Sequence, residues 1–184
     1  CRYKEALEQG LSARTVELSA EERKTVWDLN LLTDKPVLYV CNVDDSAALT
    51  GNAHTEAVKA AIANEKAEML IVAASAEADI AELETYEERE MFLQDMGLEE
   101  PGVRRLIKAA YRLLDLQTFF TTGADESRAW TFVKGMKAPQ TAGIIHTDFE
   151  RGFIRAEVIK YDDYVVLGSE KACRDVGKIG IEGK

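Results

Sequence analysis

"LYVCNVDDSA", residues 38–47, is the stretch on which the fold turns. The apolar run Pro36-Val37-Leu38-Tyr39-Val40-Cys41 stops at Asn42, and Val43, Asp44 and Asp45 follow before small residues take over. Near-continuous apolarity predicts a strand over 36–43 with both faces covered, the habit of parallel sheets. "MLIVAA", residues 69–74, reads the same way. Between them, residues 52–65 predict a helix with Val58 and Ile62 on one face. Strand, helix, strand is the rhythm of a parallel α/β sheet, whose ligands bind beyond the carboxyl ends of the strands. Asn42 to Asp45 occupy one such end, and Ser75-Ala76-Glu77 the other.

Outward from this pair, residues 3–9 predict the end of a helix. Ser19 with Glu22 forms a capping box that opens "SAEERKTVWDLNLL", residues 19–32, and Lys35-Pro36 closes that helix. Residues 78–83 predict a short helix, and Thr85 with Glu88 opens another that stops at Gly97. Pro101 suits the first helical position of a segment whose Val103, Leu106, Ile107, Ala110, Leu113 and Leu114 form an apolar stripe. Two strands are too few for a stable doubly wound domain, so this half reads as incomplete.

From Leu116 the texture changes. "LQTFFTTG" (116–123) and "RAWTFVKG" (128–135) are aromatic, threonine-rich and glycine-ended, which predicts a β-hairpin. Residues 138–153 predict a turn and helix, 153–168 a mostly extended segment, and 169–177 a short helix. The domain boundary falls near Asp115. Charge divides at the same place: residues 1–114 hold 22 acidic and 13 basic side chains, residues 115–184 hold 11 and 10. The first part is therefore too acidic for a non-specific nucleic-acid binder, and no DNA specificity is expected.

Of 184 residues, 46% are apolar, normal for a globular chain. No apolar run approaches a membrane span of about 20 residues, and no membrane partner is expected. Cys1, Cys41 and Cys173 are scattered, without metal spacing, so a reducing cytoplasmic setting is expected and Cys41 should pack as a small hydrophobe. The first residue is Cys1 rather than Met, which suggests a piece of a longer chain.

An Asn side chain both donates to and accepts from a heterocycle edge, a carboxylate accepts paired N–H bonds from guanine, and a turn supplies backbone N–H groups. Strand, Asn-x-x-carboxylate, helix, strand, Ser-Ala is the order in which P-loop GTPase-like domains build a base pocket. Asn and Asp also form plain turns at strand ends, and that reading stands beside the first.

Longer stretches carry a resemblance: "LLTDKPVLYVCNVDD" (31–45), "AASAEADIAEL" (73–83), "FLQDMGLEEPGVRRLIKAAYRLLDLQTFFTTG" (92–123), "RAWTFVKGMKAPQTAGIIHTDFERGFIRAEVIKYDD" (128–163) and "VGKIGIEGK" (176–184). Together they closely resemble the YchF/Obg-like ATPase family, over nearly the whole chain. The resemblance implies an α/β fold. Residues 1–25 would be the end of a helical (coiled-coil) insertion, 26–114 the closing part of a P-loop NTPase parallel sheet, and 115–184 a TGS domain of ubiquitin-like β-grasp type, truncated. It implies a nucleotide-binding, ribosome-associated ATPase or GTPase, with ATP (or GTP) and Mg²⁺ in the intact protein.

By carry-over, Asn42 contacts the purine, the Val43 backbone faces the exocyclic group at position six, and Ser75 and Ala76 close the opposite edge. Asp45 stands where the family has Glu. A correctly placed Asp accepts from guanine N1–H and N2–H₂, donors that adenine lacks, and mispaired buried polar groups discriminate by factors of roughly 10⁴. The resemblance favours ATP; Asp45 leaves GTP open. No GxxxxGK[ST] occurs in the chain, so no catalytic residue is assigned and hydrolysis by this chain alone is not expected.

In the second part, Arg128, Lys134, Lys137, Arg151 and Arg155 interleave with Phe119, Trp130, Phe132, Phe149 and Phe153. This suits an aromatic core with charges at its rim, the reading that the residues alone favour, or an RNA-facing sheet surface. TGS domains are associated with RNA and ribosome binding, so the alternative function is an RNA- or ribosome-binding module independent of catalysis. His146, Asp148 and Glu150 alternate like metal ligands but read as structural. His54 reads as solvated and Asp162-Asp163 as a turn or an exposed strand end, and no metal site is assigned.

Overall fold

A computed structural model describes residues 2–65, 67–123 and 125–183. The chain divides into two compact units between Leu114 and Asp115. Both mix helices with small sheets, an α/β organisation. Among the described residues no helix is long and apolar enough to cross a membrane.

The first unit opens with α1 (Arg2–Glu8) and α2 (Ala20–Val26). Ser19 caps α2 in a full box: its side chain accepts the Glu22 N–H, and the Glu22 carboxylate accepts the Ser19 N–H at 2.8 Å. The helix expected over 19–32 is shorter than its pattern. It gives way to 3₁₀ turns at Trp27–Leu29 and Leu32–Asp34, separated by Asn30 in the left-handed region at φ 46°. The Asn30 amide donates to the Asp28 carbonyl, a local side-chain bond that competes with continued helix.

Strand β1 (Leu38–Asn42) pairs in parallel with β2 (Glu68–Val72), from Leu38 opposite Glu68 to Asn42 opposite Val72. Their crossover is α3 (Ala53–Ala61), followed after β2 by α4 (Ala74–Glu82), α5 (Tyr86–Asp95) and α6 (Gly102–Leu113). The amphipathic α6 packs across β2 and β1. Apolarity on both strand faces nevertheless exceeds the cover these residues provide: Val40 is 48% exposed. Cys41 is half-buried.

Two boundaries move. Helix α4 starts at Ala74, four residues before the expected helix, so Ser75 and Ala76 lie in its first turn. Pro101 is the cap of α6 and Gly102 its first residue. The Thr85–Glu88 capping box forms on α5.

The second unit begins with the expected hairpin, β3 (Leu116–Thr122) against β4 (Ser127–Val133), antiparallel with Phe119 opposite Trp130. Helices α7 (Ala138–Ile145) and α8 (Thr147–Arg151) follow, then β5 (Arg155–Ile159), α9 (Tyr161–Leu167), α10 (Glu170–Asp175) and β6 (Ile179–Gly183), which pairs antiparallel with β5. The extended reading of 153–168 is thus corrected in its second half. Asp162 and Asp163, read as a turn or an exposed strand end, sit in the first turn of α9, where carboxylates complement the helix dipole, and Gly168 ends the helix at φ 76°. Val165 and Val166, β-branched residues of this segment, are exposed.

Gly51 precedes α3 at φ 74°, and a Cβ there would overlap the Thr55 hydroxyl and lie 2.9 Å from Ile71 Cδ1. Gly10 has a similar φ of 73° with open space around it. We expect Gly51→Ala to destabilise the chain by about 1–3 kcal/mol in urea unfolding, and Gly10→Ala by clearly less, since only the backbone term remains there. Equal losses would mean that the contact with Thr55 is immaterial. Glu22 and Glu88 also make a prediction about acid. Each carboxyl is held below its ordinary 4.5, first by the backbone N–H of its capping partner, Ser19 or Thr85. A depressed carboxylate contributes stability above that ordinary value and loses it as pH falls through the lowered one. The double variant E22Q/E88Q should therefore lose less Tm than the unsubstituted chain between pH 5 and pH 3; parallel declines would contradict this.

Candidate functional site

The parallel register brings Asn42 and Val72 to the same edge of the sheet. A polar cleft of about 470 Å³ opens there, lined by Asn42, Val43, Asp44, Asp45, Asn52, His54 and Ser75. Of the residues singled out in the sequence, Asn42, Val43, Asp45 and Ser75 meet at this cleft. Ala76 does not line it. At 2% exposure it packs behind the wall with Ala48 and Ala73, and Val43, Phe92, Met96 and Leu98 lie against that cluster.

Each wall is held by bonds that spend part of its hydrogen-bonding capacity. Asn42 Oδ1 accepts the Ala74 N–H at 3.0 Å. A backbone N–H only donates, so the atom facing it is the side-chain carbonyl, and the Asn42 NH₂ group is the end turned elsewhere. The first N–H groups of a helix have no intrahelical acceptor. Ala73, the cap residue of α4, supplies no side chain for them, so Asn42 takes that part from the neighbouring strand. On the other side, the Val43 N–H donates to the Val72 carbonyl at 2.9 Å, extending the parallel ladder one step past β1. Asp45 opens a 3₁₀ turn, Asp45–Ala47, on the exposed lip of the cleft.

Asn52 and His54 are cleft residues that the sequence reading did not include, while Asp44, within the Asn42–Asp45 strand end, lines the cleft as well. Asn52 Oδ1 accepts the N–H groups of His54 at 2.9 Å and Thr55 at 3.1 Å, and the Thr55 hydroxyl accepts the Asn52 N–H at 2.8 Å. The Asn-x-x-Thr box was a legible helix start. It places exposed His54 on the rim, a position that no local pattern announces.

The basic residues of the second unit are distributed. Arg128 lies on β4, Lys134 just past it, Lys137 before α7, Arg151 in α8 and Arg155 at the start of β5; all five are exposed. Arg128 sits over the Trp130 ring at 4.3 Å, and Trp130 Nε1 donates to Thr121 Oγ1 at 2.9 Å. Phe119, Trp130 and Phe132 are half-buried and Phe153 is buried, so most of the interleaved aromatics serve packing. The rings that stand out are Phe149, and Phe120, which stacks on exposed Tyr161 at 5.5 Å. His146 caps α8, its Nδ1 accepting the Asp148 N–H at 3.2 Å. That structural task accounts for the His-x-Asp pattern.

Comparison with known proteins agrees over the whole length. Residues 116–184 match the family profile YchF-GTPase_C, described as "Protein of unknown function (DUF933)". The ribosome-binding ATPase YchF of Bacillus subtilis (strain 168) is 50% identical over 185 residues, covering 100% of this chain and 50% of that protein. Its namesake in Escherichia coli O157:H7 is 46% identical, covering 97% and 48%. Obg-like ATPase 1 of Rattus norvegicus is 41% identical over 157 residues, covering 84% and 39%. The structure of the Schizosaccharomyces pombe YchF GTPase superposes with a TM-score of 0.84 at 32% identity, covering 100% of this chain and 49% of that one. The chain spans about half the length of the curated relatives it matches. With such identity along its length and the same fold, the chain belongs to the YchF family.

Proposed function

We propose that the cleft at the ends of β1 and β2 receives the base of a purine nucleotide, adenine in preference to guanine. The observation that carries the reading is the commitment of the Val43 N–H to Val72. What Val43 can still offer a ligand from its backbone is a carbonyl, which accepts. Adenine carries a donor at position six and guanine an acceptor, so the accepting carbonyl favours adenine. With Oδ1 engaged by Ala74, Asn42 keeps a donor for an acceptor nitrogen of the ring. Ser75, in the first turn of α4, supplies the opposite edge, with Ala76 packed behind it. Asp45 is the counterweight, since a carboxylate reads guanine.

The residues present fit a heterocycle edge. The chain carries no GK[ST] pair, so none of its residues is assigned to the phosphates or to Mg²⁺, and affinity through the base alone should be low. In the intact protein we assign this half to the base-recognition part of a nucleotide-binding, ribosome-associated YchF-like NTPase. In amide NMR titrations of the chain, ATP should shift the Asn42, Val43 and Ser75 resonances at lower concentration than GTP. Asn42→Ala should weaken ATP about tenfold through loss of the ring contact and of the bond to Ala74. Tighter GTP binding, abolished by Asp45→Ala, would reverse the base assignment.

A second reading concerns residues 115–184, which we infer to be a TGS-type module facing RNA on the ribosome. The exposed guanidinium of Arg128 over Trp130 and the exposed Phe120–Tyr161 stack favour it, because cations serve phosphates and rings serve bases. Replacing Arg128, Lys134, Lys137, Arg151 and Arg155 together with Ala should sharply weaken co-sedimentation with ribosomes. It should also flatten the salt dependence by roughly 0.7 per lost phosphate contact on single-stranded RNA. Unchanged co-sedimentation would refute this surface.

A further inference from the structure

Ser75 and Ala76 are followed by Glu77, whose side chain leaves the cleft. Glu77 Oε1 accepts the Gly102 N–H at 2.5 Å, joining the first turn of α4 to the first residue of α6 across 25 positions of sequence. The bond meets a specific need. Pro101, the cap of α6, has no polar side chain, and its carbonyl is taken by the Arg104 and Arg105 N–H groups at 3.1 and 3.2 Å. Gly102 is buried, so without Glu77 its N–H would lack a partner where water is scarce. Space at the junction is equally committed: a Cβ on Gly102 would stand 2.7 Å from Glu77 Oε1 and 3.1 Å from Val72 Cγ1.

Helix α6 packs across both strands, so this bond ties the turn that carries Ser75 to the element that covers the sheet. Behind the Ser75 wall lies the buried cluster of Ala48, Ala73 and Ala76, with Val43, Phe92, Met96 and Leu98 packed against it. Apolar contacts of this kind carry no direction. The polar bonds at the two sides of the turn, Asn42 to Ala74 and Glu77 to Gly102, are directional and fix where its N–H groups point.

We propose that Glu77 is a positioning residue for base selectivity: through Gly102 it sets the height of the Ser75 edge against the purine, without touching the base itself. The proposal rests on the base-binding reading above and adds a determinant of its discrimination.

The test is the ratio of ATP to GTP dissociation constants, from amide NMR titrations of the chain and its Glu77→Ala, Glu77→Gln and Gly102→Ala variants, with thermal melts to establish that each is folded. Glu77→Ala removes the acceptor, and Gly102→Ala displaces it from the other side. Each should move the ratio about fivefold toward unity, and their combination should add little, because both break one coupling. Glu77→Gln keeps an oxygen acceptor and should stay within about twofold of the unsubstituted chain. Equal weakening of ATP and GTP in Glu77→Ala, at constant ratio, would show a merely structural role and overturn the proposal. In the unsubstituted chain, ATP should shift the Gly102 amide resonance and slow its hydrogen exchange; a Gly102 amide indifferent to saturating ATP would overturn it too, whatever the stability of the variants. If the unsubstituted chain binds neither nucleotide, the base reading falls first and this inference with it. Binding with an unmoved ratio removes this inference alone.

Discussion

Everything at the cleft depends on the parallel register of β1 and β2. Parallel pairing brings both carboxyl ends to one edge, and the register ends with Asn42 opposite Val72. From there two short bonds follow: the Val43 N–H to Val72, and the Ala74 N–H to Asn42. A slip of one residue would turn Asn42 to the other face of the sheet and leave the start of α4 without its acceptor. The register is held by Leu70, buried at the centre of β2, and by the packing of α6 across both strands.

The cleft's chemistry is defined by what its groups have already committed. Val43 gives its N–H to Val72 and Asn42 Oδ1 receives the Ala74 N–H. Under the proposed base reading the side chains by themselves suit either purine, and these hydrogen bonds within the protein favour adenine, because buried polar groups left mispaired are costly. In the second unit the exposed cations Arg128, Lys134, Lys137, Arg151 and Arg155 are spread over several elements, a distribution that suits the extended polyanion of the proposed RNA reading.

Local devices were legible and long-range ones were not. Ser19–Glu22 and Thr85–Glu88 form capping boxes as their spacing implies, since both partners lie within four residues. The hairpin of 116–133 was equally plain, with β-rich segments around a short turn. The segment 161–167 was misread because Val165 and Val166 favour strands, whereas Asp162 and Asp163 at a helix start and Gly168 at its end outweigh them. The onset of α4 at Ala74 was missed because its capping acceptor, Asn42, comes from another strand 32 residues away.

The amino-acid sequence alone determined that two apolar strands alternate with helices, that Asn42, Val43, Asp45 and Ser75 stand at strand ends, and that an aromatic hairpin opens a second unit. These follow from periodicity and from turn and cap chemistry, which act over a few residues. Tertiary structure decided which atoms of those residues remain available. It moved Ala76 from the cleft lining into the packing behind it, brought Asn52 and His54 to the rim, and turned Glu77 away to Gly102. The physical reason is that a donor or acceptor is spent by whichever partner the fold brings within about 3 Å, and such partners are set by strand register and helix packing rather than by neighbours in sequence.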